Sequence, residues 1–120
     1  MSQNTQTASY DLVAHLHRQR AFSERTFGPD SRAHGVLDHI AKELREIAAH
    51  PADPEEWIDV VLLAFDGARR AGYTPEVIAT ALTAKQTKNE RRTWPDWRSL
   101  SPDQAIEHVR APSPAGEKFP

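Results

Sequence analysis

The chain has 120 residues, a formal net charge of −2 and no cysteine. That length makes one domain with a modest core. The slightly acidic balance, with a pI near 6.3, argues against a nucleic-acid polymer as partner, and the missing thiols exclude disulfides, a thiolate zinc site and a cysteine nucleophile. The longest unbroken apolar run, Val60 to Phe65, is too short to span a bilayer, so no membrane partner is expected. Met1 to Ser9 has neither the basic start nor the apolar centre of a signal peptide, and a cytoplasmic location is expected.

Residues 1–8 are polar and expected to be disordered. A single domain is expected over 9–110, followed by a mobile Pro- and Gly-bearing tail over 111–120. Within the domain, Tyr10, Leu12, Val13, Leu16 and Phe22 predict a first helix over about Ser9 to Glu24. Thr26-Phe27-Gly28-Pro29-Asp30 reads as a loop. Asp30 or Ser31 then caps a second helix to about His50, with Val36, Leu37, Ile40, Leu44 and Ile47 at helical spacing. Pro51-Ala52-Asp53-Pro54 breaks it. Asp53 is the N-cap of a third helix, Pro54 its first residue and Glu56 the acid of a capping-box-like start. That helix runs to about Arg70 and stops at Gly72. Thr74-Pro75-Glu76 starts a fourth, to about Arg92, which Thr93-Trp94-Pro95 ends. Ser101-Pro102-Asp103 predicts a short last helix to about Val109. With no strand pattern, the class is all-α.

Two acidic pairs stand out. Glu43 and Glu46 are three residues apart on the second helix, and Glu56 and Asp59 repeat the spacing on the third, so each pair shares a helix face. Asp59 interrupts an otherwise apolar run from Trp57 to Phe65, where a carboxylate faces desolvation unless paired or metal-bound. The short turn makes the two helices antiparallel neighbours, bringing the four acids together. Hard cations such as Mg²⁺ and Mn²⁺ relieve that repulsion through oxygen ligands. The same acids also suit a solvated helix face, and Glu56 a simple cap. His39 and His50 flank the acids. A second constellation is basic: Lys85, Lys88 (or Asn89) and Arg92 share a face near the end of the fourth helix. They suit either a helix C-terminus or, facing a carboxylate–metal cluster, a polyphosphate. A non-catalytic helical module with charged faces is the alternative from another class. The third helix is apolar around most of its circumference and is expected to be covered by self-association, as a homodimer or homotetramer.

Taken in order, Lys42-Glu43-Leu44-Arg45-Glu46, the turn, Glu56-Trp57-Ile58-Asp59 and Lys85, Lys88, Asn89, Arg92 resemble the motifs of the MazG-like all-α nucleoside triphosphate pyrophosphohydrolases. The resemblance spans about Ser31 to Trp97. Lys42 stands where that superfamily often has its first Glu, so either four acids suffice or fewer ions are held. Phe27-Gly28-Pro29, Glu55 to Asp59, Lys85 to Asn89 and Arg92 to Trp97 are similar to the phage-type dATP/dGTP diphosphohydrolases (MazZ) within it. The resemblance implies a four-helix MazG-like bundle in a bacterial or phage-infected cell. It implies hydrolysis of dGTP or dATP to monophosphate and pyrophosphate. Glu43, Glu46, Glu56 and Asp59 would hold Mg²⁺ or Mn²⁺ as the catalytic set, and Lys85, Lys88, Asn89 and Arg92 would bind the substrate phosphates.

Overall fold

The computed structural model describes residues 9–110; the calls of terminal disorder over 1–8 and of a mobile tail over 111–120 lie outside them. Four α-helices follow in order, α1 (Leu12–Phe27), α2 (Ala33–Ala49), α3 (Pro54–Arg70) and α4 (Pro75–Arg91), then a 3₁₀ turn at Trp97–Ser99. There is no strand among the described residues. The chain is all-α, as the periodicity predicts. It divides into two compact units, one through Leu82 and one from Thr83 onward.

In the first unit, α2 and α3 form the tightest helix pair. Val36 Cγ1 would lie 3.4 Å from a Cβ placed on Gly67, so a methyl group there would just touch the facing helix. Val36 meets Gly67 near one end of the pair while Glu43 meets Asp59 farther along; the two helices therefore run antiparallel, as their short turn requires. Asp53 caps α3 by accepting from the Glu55 N–H at 2.9 Å, and Pro54 takes the first helical position, where a missing N–H costs nothing. Gly72 ends the segment at φ 108°, a conformation glycine adopts without steric cost. Thr74 Oγ1 accepts from the Val77 N–H at 3.2 Å and starts α4. α1 lies along α3, with the Gln19 side chain donating to the Leu62 carbonyl at 2.6 Å. The apolar side chains buried among the described residues are Leu16, Val36, Ile47 and Ile78, which is a thin core for four helices.

Several boundaries differ from the sequence expectation. α1 starts at Leu12 because Asp11 caps it, accepting from the Ala14 N–H at 3.0 Å. It continues through Thr26 and Phe27, which were expected in a loop, and stops at Gly28, φ 95°. α2 is capped by neither Asp30 nor Ser31; Arg32 holds the cap position without a side-chain bond. In the second unit, the expected last helix from Ser101 does not form. Residues 101–104 make only a turn, with Ser101 Oγ accepting from the Asp103 N–H at 3.1 Å. The segment beyond returns to bond Thr93, whose carbonyl accepts from the Val109 N–H at 2.7 Å. So short a stretch gains too little from one or two helical bonds to offset nucleation.

Candidate active site

The α2–α3 pair brings three of the four predicted acids together. One carboxylate oxygen each of Glu43, Glu56 and Asp59 lies within 4.8 Å of the others. Glu43 and Glu56 are half-buried and Asp59 is exposed. Glu46, one turn beyond Glu43, lies outside this group and is exposed. Its charge still reaches the site. The Glu56 carboxyl titrates above its ordinary range, first because of partial desolvation and then because of Glu46, Asp53, Glu43 and Asp59. Charges placed so that each disfavours its neighbour's ionisation are what a bound cation would relieve. His39 Nε2 stands 3.4 Å from Glu43 Oε1, one turn back along α2. His50 instead forms the C-terminal cap of α2.

Desolvation of Asp59 by its apolar neighbours, expected from the sequence, is not found. The run around it is itself open in the single chain, with Trp57 53 %, Ile58 52 % and Val61 42 % exposed. Trp57, Val61 and Ala64 lie on the exposed side of α3, whereas Leu62 and Leu63 turn inward with Asp66.

Behind the acids a cleft of about 250 Å³ runs between α1, α2 and α3. Glu43, His39 and Asp59 line it together with apolar walls from Phe22, Phe27, Val36, Leu62 and Leu63. Phe22 and Phe27 meet edge to face at 6.1 Å between ring centres. Farther in, Ser23 and Asp66 reach the cleft from a buried polar network that the sequence reading missed. Asp66 accepts from Ser23 Oγ at 2.7 Å, Arg70 Nε at 2.7 Å and Arg69 at 2.9 Å. Burial pushes the Asp66 carboxyl up, but the hydrogen bonds from Arg70, Ser23 and Arg69 together outweigh it and hold the carboxyl below the usual aspartate range. Arg70 also donates to the Asp30 carbonyl, which pins the α1–α2 loop to α3. The available signal was Asp66 followed by arginines at i+3 and i+4 near the end of an apolar helix.

The predicted cations lie in the second unit. Lys85 and Lys88 are exposed; Asn89 and Arg92 are half-buried. Arg92 donates to Asn89 Oδ1 at 3.1 Å. The Lys85 ammonium titrates below its ordinary range because of Arg92, then partial desolvation, then Lys88. A cluster of cations that repel one another favours a bound anion.

A family model described as dATP/dGTP pyrophosphohydrolase matches residues 16–113. The chain belongs to that family. The Eaa protein of Salmonella phage P22 is 40 % identical to it over 88 residues, which are 72 % of this chain and 27 % of that protein. The chain thus spans about a quarter of the length of this curated relative. The fold is similar to that of a solved structure, the cyanophage S-2L MazG-like pyrophosphohydrolase bound to dGDP and three catalytic Mn²⁺ ions per active site. The identity is 29 % and the TM-score 0.62, with 84 % of this chain and all of that one covered.

Proposed function

We propose that this chain hydrolyses deoxypurine nucleoside triphosphates, dGTP and dATP, to the monophosphate and pyrophosphate with the help of a divalent cation, Mg²⁺ or Mn²⁺. The observation that carries the reading is the meeting of Glu43, Glu56 and Asp59 within 4.8 Å at a cleft walled by apolar side chains. Three hard oxygen donors fit such a cation, and Glu46, whose field already reaches Glu56, is the fourth member of the set. Family membership and the Mn²⁺ and dGDP of the cyanophage structure support the same assignment. The phage relative supports a place in the cytoplasm of a phage-infected or bacterial cell. Among the described residues no helix is long and apolar enough to cross a membrane.

In the proposed reaction a water oxygen forms a bond to the α-phosphorus while the bond from that phosphorus to the bridging oxygen breaks, releasing pyrophosphate. The cation, once bound, supplies Lewis-acid polarisation of the phosphate and acidifies the water. The chain's own part is positioning. Glu43 is held from α2, with His39 against it, while Glu56 and Asp59 come from the facing helix, so the donor set rests on rigid elements. Phe22 and Phe27 give the cleft an aromatic wall beside the acids. Lys85, Lys88 and Arg92 steady the β and γ phosphates and their growing charge, and Asn89 adds a hydrogen bond; their mutual repulsion supports this role. The exposed Trp57, Ile58 and Val61 support a homodimer or homotetramer as the working form.

Incubation with dGTP and Mg²⁺, with pyrophosphate as the readout, tests the reading. A non-catalytic helical module would release none with either cation.

A further inference from the structure

We propose that Arg32 reads the purine base, and that it favours guanine over adenine. The inference rests on the proposed nucleotide hydrolysis and concerns the end of the same cleft away from the acids. Arg32 lines that cleft together with Gly35. Its guanidinium lies across Gly35, with one nitrogen 3.0 Å from where a Cβ would stand. A methyl group at Gly35 would push the guanidinium aside by a few tenths of an ångström.

Its place along the cleft separates it from the phosphate chemistry. Gly35 and Glu43 are eight residues apart on α2, about 12 Å of helical rise. If the acids take the α-phosphate, a group at Gly35 stands about one nucleoside away along the cleft. The walls include Phe22 and Phe27, whose aromatic rings suit a planar ring system, and the aliphatic Val36 and Leu62.

The other polar groups at this end are already engaged. Ser23 and Asp66 bond each other and the two arginines behind them. The Gln19 amide donates to the Leu62 carbonyl, and its oxygen meets His15 at 3.0 Å. Among the described residues, the Arg32 guanidinium has no such partner and is the free hydrogen-bonding fork of the cleft. The loop carrying it is pinned by Arg70 at Asp30, so the fork starts from a fixed base.

Chemistry then selects the ligand. Guanidinium offers donors only. The Hoogsteen edge of guanine presents two acceptors, O6 and N7, whereas that of adenine pairs the N7 acceptor with the N6 donor. Arg32 therefore matches guanine with both arms and adenine with one, a preference of roughly five- to hundredfold.

The test compares wild type, Arg32→Ala and Arg32→Gln by kcat/KM for dGTP and dATP. It adds calorimetric binding of deoxyguanosine and deoxyadenosine, which carry no phosphate and need no metal. Arg32 is exposed, so both variants should keep the wild-type circular dichroism. Wild type should prefer dGTP, and Arg32→Ala should lower the dGTP-to-dATP ratio at least fivefold and weaken deoxyguanosine binding. Gln, which pairs with the N6/N7 edge of adenine, should shift the ratio further toward dATP. Equal losses for both triphosphates would make Arg32 a phosphate contact and overturn the proposal, as would deoxyguanosine binding unchanged in Arg32→Ala. If wild type turned over neither triphosphate, the hydrolase reading would fail, and the deoxyguanosine comparison would still decide this one.

Discussion

Replacing Asp66 with Ala should destabilise the fold far more than its single lost side chain suggests. Asp66 is buried and accepts from Ser23, Arg69 and Arg70. The Arg70 side chain is only 1 % exposed and that of Arg69 9 %. Truncation leaves both guanidiniums in place without their main counter-charge, and stranding a buried ionic partner costs about 3–5 kcal/mol. That is a large share of the roughly 5–15 kcal/mol typical of a whole domain, and here the core has only four buried apolar side chains among the described residues. Asp66→Asn keeps an acceptor but no charge, so its loss should be smaller. Urea unfolding followed by circular dichroism, at one fixed protein concentration, measures both. The pH dependence supplies a second readout. Because the folded carboxyl titrates below the ordinary aspartate range, the unfolded chain takes up the proton first. The contribution of Asp66 is fully present above the ordinary range and is lost as pH falls through the depressed folded value. The gap between wild type and Asp66→Asn should therefore narrow in that acid window. A loss under about 1 kcal/mol for Asp66→Ala, within the range of an exposed pair, would refute the claim that this network holds the loop and helices together.

Asp59→Asn should abolish turnover while leaving helix content unchanged, since Asp59 is exposed and supplies a ligand oxygen rather than packing; near-normal activity would remove it from the cation site. Sedimentation at micromolar concentration should show a dimer or tetramer, because leaving Leu44, Trp57, Ile58 and Val61 in water forgoes roughly 25 cal/mol per Å² of apolar area. Activity lost on dilution should then track dissociation, and a fully active monomer would contradict both statements.

The four long helices, the class and the pairing of α2 with α3 were legible in the sequence because apolar periodicity and the Asp53-Pro54 and Thr74-Pro75 starts act locally. Glu43, Glu56 and Asp59 were legible too, since a spacing of three on two antiparallel helices leaves few other meeting points. What failed depended on competition between neighbours. Asp11 captured the start of α1, Arg32 displaced Asp30 and Ser31 as the cap, and the Thr93–Val109 bond accompanies a turn where a helix was expected at Ser101. The burial of Asp59 was misjudged because an apolar run says nothing about what covers it. The network of Asp66 and Arg70 was not legible, because their partners Ser23 and Asp30 come from another helix and a loop, distant in sequence.

Phosphorus NMR of the products from dGTP tests the central claim most directly, because it reports which phosphoanhydride bond breaks. With Mg²⁺ or Mn²⁺ present, the account predicts dGMP and pyrophosphate in equal amounts and none with Asp59→Asn. Release of dGDP and orthophosphate would contradict it.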